Sequence, residues 1–435
     1  MMSIRGFRRG GVTLPQRMAF SHDPIENAFL PIHAKLTLRA AGSGKEARLL
    51  VSEGEELREG QLIARADGKG TTNAHSSIPG IVRRIVRGRS PDGTALNTVV
   101  VSLAGSFSIS GKRPERYIWK SLNKTDILHL LQEKGVTQVS TGIPLYDLLH
   151  GKKDGGPVQL VVNALEMDPY RRVEEAILIH HPQELIDACD ILNKILKPES
   201  IAIALDAGLQ TAYIDALRSH AKDADLKIGI ESFKRRYPQD MPQLIERALR
   251  DKRGAAGSML CLEPSTLMAL HEAVVSNKAH IEQYVYVGGG AIKEPRIVKA
   301  RIGTSLGDLF EECGGFKGLP ERVVINGPLC GSLAADLDSP IEKTTRSVLA
   351  LCHEETHSGA EQPCVRCGAC VKACPESLKP YLLYKLLIAG RANEAYDLGL
   401  ARCTSCAACA YACWSRLPLV QLFDRHKAQG QNHAQ

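Results

Sequence analysis

Eight of the chain's thirteen cysteines fall into two short runs of identical spacing. "CVRCGACVKACP", Cys364 to Pro375, and "CTSCAACAYACW", Cys403 to Trp414, both read C-x2-C-x2-C-x3-C. Zinc sites use four ligands, usually two pairs separated by a longer loop. Four thiolates packed into so short a run, twice over, suit instead a [4Fe–4S] cubane that draws three ligands from a tight run and the fourth from elsewhere. Two [4Fe–4S] clusters are expected.

In two-cluster ferredoxins the fourth cysteine of each run ligates the other cluster. On that pattern Cys364, Cys367, Cys370 and Cys413 hold one centre, and Cys403, Cys406, Cys409 and Cys374 hold the second. Cross-pairing brings the centres close, as electron hopping requires. Pro375, after the first run, fixes φ and turns the chain out of the site. Trp414 stands in its place after the second run, and two roles are open to it: shielding one cluster from water, a lever on potential, or packing the module's core. "LKPYLLYKLLIAGRANEAYDLGLA" between the runs reads as two helices with a turn at Gly390, so the module is helical. Cys189, Cys261, Cys313, Cys330 and Cys352 are scattered, mostly in apolar runs, and read as core thiols rather than ligands.

These residues must be positioned by a chain of 435 residues, too long for one ordinary core. Hydrophobic residues make up 44% of it and no apolar run is long enough to span a bilayer. The start "MMSIRGFRRGGVTLPQ" has basic residues without an apolar stretch after them, unlike a secretory signal. A cytoplasmic setting is expected, where clustered cysteines mean metal or redox work rather than disulfides. The net charge of +7 reads as a solvated surface, or as docking to anionic lipid or an acidic partner. Nucleic acid is not an expected partner, because zinc-finger and RNA-binding signatures and aromatic interleaving are missing.

Residues 1–115 are rich in glycine and short β-type runs. The pattern V-x-x-G-x-x-L-x-x-G-Q-L-I, then S-x-P-G-I-V, resembles biotinyl and lipoyl hammerhead hairpins. Lys69 lies near the position of the modified lysine there but lacks that residue's neighbours, and is read as a plain surface turn. From 120 to 278 helical and strand patterns alternate, as in "PVQLVVNAL", "PQELIDACDILNKIL" and "SIAIALDA". This implies a parallel sheet covered on both faces, a doubly wound α/β domain. Residues 281–350 break the rhythm and suggest a small mixed β domain with one helix, "SLGDLFEECGG". The cysteine module follows over 358–425, then a polar tail, "DRHKAQGQNHAQ", expected to fray.

With these parts in order the chain resembles the RnfC family of the Rnf electron-transport complex. It is also similar to the cobalamin reductase of bacterial propanediol use and to the flavin subunit of respiratory complex I. "FRRGGVTLP" and "AHSSIPGIV" match the family's barrel-sandwich domain, and "VGGGAIKEPRIVKARIGTSLGDLFEECGG" with "INGPLCG" its β-grasp domain. The resemblance implies a multidomain α/β protein: a barrel-sandwich hybrid, a complex-I-flavin-subunit-like α/β domain, a β-grasp domain and a helical two-cluster ferredoxin module. It also implies FMN and NADH as cofactors and Asn163, Glu166 and Asp168 of "VNALEMDPY" as flavin- and nicotinamide-contacting residues. Partners would be other subunits of a membrane complex and a ferredoxin or iron–sulfur protein, with peripheral attachment on the cytoplasmic side of the cell membrane.

The departures concentrate in one place. The family's flavin loop reads G-x-G-G-A-x-F-P, whereas this chain has "TQVSTGIP", with Thr137, Val139 and Ser140 where glycines are expected. "YPQDMPQLI" lacks a paired glycine, and "CLEPSTLMAL" replaces an Asn-Val-Gly-Thr segment. Side chains there obstruct the approach of backbone amides to a flavin phosphate. The expectation is an electron-transfer subunit with intact clusters and a degenerate flavin/NADH site. The alternatives are an NADH dehydrogenase or cobalamin reductase with a competent flavin site, or a non-redox assembly protein stapled by its metals.

Overall fold

The computed structural model describes residues 4–6, 9–15, 24–39, 46–89, 95–105, 117–150, 158–253, 258–356 and 359–432. Among these, no helix is long and apolar enough to cross a membrane.

The short alternating runs of the first hundred residues form two small antiparallel sheets. One orders His33–Thr37, Ala95–Leu103, Gly80–Arg89 and Glu56–Leu57; the other orders Arg48–Leu49, Leu62–Arg65 and Ala74–His75. Ala34, Leu36, Ile63, Val82, Val99 and Val101 point inward and make the shared core. The glycine of S-x-P-G-I-V is dictated by closure: a Cβ at Gly80 would sit 1.9 Å from the Ser102 carbonyl oxygen. Lys69 lies in an exposed turn.

The α/β domain has four strands, Ile228–Phe233, Ser200–Asp206, Val158–Asn163 and Ser258–Leu262, in that order and all parallel. Parallel pairing demands crossovers, which helices such as Pro182–Leu196, Thr211–Asp223 and Pro242–Arg253 supply. Pro182–Leu196 follows its sequence pattern: proline opens it, Leu185, Ile186, Cys189 and Leu192 bury one face, and Lys197 ends it in the left-handed conformation. The first two crossovers leave Val158–Asn163 in one direction and the last strand returns to its other side. The carboxyl end of Val158–Asn163 is thus the topological switch point, where open α/β sheets bind ligands.

The third sheet has six strands, in the order Glu26–Asn27, Arg296–Arg301, Glu282–Gly288, Ser347–Leu351, Arg322–Ile325 and Ser332–Leu333, with helix Leu306–Glu312 against it. Its first strand comes from far upstream, Glu26 and Asn27 pairing in parallel with Val298 and Lys299. Sequence pattern marked no strand there, since the two residues are polar and exposed.

The C-terminal module packs helices Pro380–Ile388 and Ala392–Asp397 around the cysteine runs, with Gly390 at the turn between them. The polar tail is a correction. Instead of fraying, its residues 424–432 belong to helix Leu419–Asn432, anchored where Leu419 and Phe423 insert fully into the module's core, while 433–435 lie outside the described residues. Lys427 then donates to the Cys403 carbonyl, and Tyr396 to that of His426.

The described residues 5–6 and 9–12 form a strap that ties the parts together. The Arg5 amide donates to Ser232 and the Lys234 amide to Arg5, while Val12 and Tyr237 exchange both backbone bonds. Arg5 also pairs with Glu231. The Gly11 amide donates to the Ala373 carbonyl, in the first cysteine run.

Candidate redox and cofactor sites

The two cysteine runs take up matching backbones. Arg366 and Ser405, Gly368 and Ala407, and Ser377 and Arg416 stand at equivalent positions, and all six have positive φ. Those left-handed residues curl each loop so that successive thiols point to one side. The third cysteine of each run sits in a short helix, Ala369–Ala373 or Ala408–Tyr411, and the fourth follows it.

The fold interleaves the runs. Cys364, Cys367, Cys370 and Cys413 line one small cavity together with Tyr381, Leu417 and Leu419. Cys374, Cys403, Cys406 and Cys409 line the other, with Leu378, Val420 and Phe423. Each cavity thus takes three thiols from one run and the fourth from the other. Among the described residues no three His, Cys, Asp or Glu side chains converge as on a single ion; the thiols stand around a wider space. Burial pushes the thiols of Cys370, Cys374, Cys403, Cys406 and Cys409 above the ordinary range.

The cavities differ in their surroundings. Ala373, Cys406 and Ala408 share a core with Val161, Phe233 and Tyr237 of the α/β domain. The Tyr237 hydroxyl donates to the Cys406 carbonyl at 2.6 Å and lies 3.0 Å from Cys330 Sγ. At the other cavity Cys367 is exposed, as are Val365 (69%) and Trp414 (83%). Of the two expected roles of Trp414, packing the module's core is overturned: the residue is largely exposed and takes no part in that core. Two of the five scattered cysteines also depart from expectation. Cys189, Cys261 and Cys313 are buried, whereas Cys352 is half-buried and Cys330 lies in an exposed loop with its sulfur turned in against Tyr237.

Asn163, Glu166 and Asp168 meet at the switch point and are all buried. Asn163 donates to the Asp240 carbonyl, the Asp240 carboxylate accepts from the Met167 amide and Arg171, and the Asp168 carboxylate accepts from the Tyr170 amide. Glu166 accepts from the Glu174 and Glu175 amides at the start of helix Val173–His180. Its other oxygen, and Nε of Arg346, have no hydrogen-bond partner among the described residues. Burial lifts Glu166 to about 7 and Asp168 to about 6. Burial, then the neighbouring Glu166 charge, lifts Glu174 to about 8.

The loop "TQVSTGIP" folds against this cluster. Thr137 and Val139 are fully buried. The Val139 amide donates to Thr266 Oγ1 at 2.9 Å and the Gln138 amide to the Ile143 carbonyl. At helix Pro264–Val275 the Ser265 amide and hydroxyl both donate to Glu174 at 2.8 Å, and Thr266 donates to Glu263. Sequence reasoning missed Glu174, Glu263 and Arg346. The acidic pair Glu174–Glu175 opening an apolar run, and Glu-Pro-Ser-Thr at 263–266, were available as helix-start signals.

Residues 7–106 match the RnfC barrel sandwich hybrid domain and 140–279 the Nuo51 FMN-binding domain. Residues 284–332 match the SLBB domain and 358–414 a 4Fe-4S dicluster domain. Fold and matched domains define a multidomain α/β iron–sulfur protein whose central domain has the Nuo51 scaffold. The resemblance to the RnfC family is borne out over nearly the whole chain. A relative from Clostridium ljungdahlii, a component of its proton-translocating ferredoxin:NAD(+) oxidoreductase complex, is 26% identical over 387 residues, 87% of this chain and 84% of that one. A relative from Edwardsiella ictaluri, a component of its ion-translocating oxidoreductase complex, is 29% identical over 97% of this chain, which spans 53% of that relative's length. The NAD+-reducing [NiFe]-hydrogenase in its H2-reduced state has a chain of similar fold, with a TM-score of 0.52 and 16% identity over 71% of this chain and 62% of that one.

Proposed function

We propose that this chain is an iron–sulfur electron-transfer subunit of a membrane-bound Rnf-type complex. It would attach peripherally on the cytoplasmic side through its partner subunits. Electrons would pass between ferredoxin or an iron–sulfur partner and NAD(H) or another acceptor, with ion translocation carried out by other subunits. The observation that carries this reading is the pair of cavities, each ringed by four cysteines drawn three and one from the two runs. Cys364, Cys367, Cys370 and Cys413 would hold the outer cluster and Cys374, Cys403, Cys406 and Cys409 the inner one. The clusters supply one-electron chemistry; the chain's residues fix their spacing, dryness and access. The inner cavity faces the α/β domain and the outer one faces solvent, so the outer cluster is the one an external partner reaches.

The residues at the switch point do not fit FMN. The Val139 and Gln138 amides of the loop are already bonded to Thr266 Oγ1 and the Ile143 carbonyl, and the buried side chains of Thr137 and Val139 fill two of the positions where glycines are expected. A competent flavin site, as in an NADH dehydrogenase or a cobalamin reductase, is the second reading, favoured by the Nuo51 match over 140–279.

Anaerobic reconstitution tests the first. About eight irons and eight acid-labile sulfides per chain are expected, and Cys413→Ala should abolish the cluster of Cys364, Cys367 and Cys370 while sparing the other. Zinc without sulfide ends the reading, and loss of the other cluster alone ends the cross-ligation. Stoichiometric quenching of FMN fluorescence by the protein, with NADH then bleaching the clusters, selects the second reading.

A further inference from the structure

We infer that the carboxyl group of Glu174 occupies the anion position at the N-terminus of helix Pro264–Val275, so that the chain fills from within the place a cofactor phosphate would take. The inference rests on the reading that FMN is not held, and it names what stands in its way.

The N-terminus of a helix offers unpaired N–H groups and roughly half a positive charge, and phosphates bind there for that reason. In helix Pro264–Val275 proline takes the first position and has no N–H, so the Ser265 amide is the first available donor. That amide and the Ser265 hydroxyl both go to Glu174, at 2.8 Å each. The next residue, Thr266, is engaged on both sides, donating to Glu263 and accepting from the Val139 amide of the former glycine loop. No contact here comes from the surface, because Glu174, Ser265, Thr266 and Val139 are all buried to within 1% exposure.

The arrangement repeats one step back. Glu174 lies in the first turn of helix Val173–His180, whose own terminal amides go to Glu166. Two helix starts are therefore capped in series by internal carboxyl groups. Arg346, brought in from the six-stranded sheet, is drawn electrostatically to Glu174, Glu263 and Glu166 alike. A phosphate entering this space would have to compete with the Glu174 carboxyl group for the Ser265 donors. The lost glycines narrow the cradle, and Glu174 occupies what remains of it.

The test uses full-length, cluster-loaded protein and measures the unfolding midpoint in acetate or inorganic phosphate, with chloride at equal ionic strength as control. Glu174→Ala leaves the Ser265 donors open. Acetate and phosphate should stabilise it at concentrations about tenfold below any that affect wild type, the worth of one hydrogen bond to a charged acceptor. Glu174→Gln, whose amide oxygen still accepts from Ser265, should behave as wild type. Equal anion responses in Glu174→Ala and wild type overturn the inference. Should Glu174→Ala not fold, Glu174→Asp withdraws the carboxyl group by one methylene and should show a smaller response of the same sign; no response beyond wild type is again a refutation. Titrating FMN into wild type separates the two claims. Tight binding there overturns the functional reading and this inference together, whereas no FMN binding with an unresponsive Glu174→Ala overturns the inference alone.

Discussion

Replacing Gly10 by alanine should damage the inner cluster site from a position more than 360 residues away in sequence. Gly10 has φ of +85°, in the left-handed region. A Cβ there would stand 2.4 Å from the Cys374 carbonyl oxygen and 2.6 Å from Pro375 Cα. Two costs follow. Holding alanine in the left-handed conformation costs about 1 kcal/mol more than glycine. The overlap is with backbone on both sides, so relief requires moving the strap or the Cys374 turn, at roughly 1–3 kcal/mol by analogy with overpacked cores. A loss of about 2–4 kcal/mol is expected. It should be local, because the strap bonds of Gly11 to Ala373 and Val12 to Tyr237 lie on the inner side of the module. The assay is anaerobic reconstitution followed by electron paramagnetic resonance of the reduced protein through a thermal ramp. The inner cluster should be lost several degrees earlier than in wild type, with the outer cluster persisting. Equal loss of both clusters, or wild-type behaviour, would refute the reasoning.

Two further outcomes follow from burial and exposure. Because Glu174 is raised to about 8, the folded chain binds more protons than the unfolded chain between about pH 4.5 and 8, and stability is lost as pH climbs through that window. Glu174→Gln cannot ionise, so its stability relative to wild type should grow with pH, reaching a few kcal/mol by about pH 8.5 at about 1.4 kcal/mol per pKa unit. Urea unfolding at about pH 5 and about pH 8.5 measures this, and a constant difference would sink it. Trp414→Ala should leave cluster content and unfolding within about 0.5 kcal/mol of wild type. It should still slow cluster reduction by reduced ferredoxin, since an exposed tryptophan at an interface is worth about 2 kcal/mol; stopped-flow rates equal to wild type would remove the outer face as the point of exchange.

Regular spacing was legible in the sequence, and long-range partnership was not. The α/β alternation showed through because buried parallel strands such as Val158–Asn163 and amphipathic helices such as Pro182–Leu196 carry their period in consecutive residues. The cysteine runs showed through because ligand geometry is local. Helix Leu419–Asn432 was hidden because only its first turn is apolar, and a few anchors, Leu419 and Phe423, hold a polar helix in place. The exposure of Trp414 was hidden for another reason: residue type favours burial, while the outcome depends on which side of the module meets the α/β domain. Asn163, Glu166 and Asp168 were found as a segment, but their partners Asp240, Glu174 and Arg346 are distributed over the chain and nothing in their spacing joins them.

The strap also sets an order of assembly. Arg5 and its partner Glu231 are 226 residues apart, and Gly11 waits for Ala373. On a ribosome adding some tens of residues per second at most, seconds pass before those acceptors exist. The sandwich and the α/β sheet have their own cores and can form meanwhile, but the strap can close only over a first cysteine run already in place. Closing that loop carries an entropic cost which the strap's few bonds recover only once the run is held in shape. Iron delivery and strap closure should therefore favour one another.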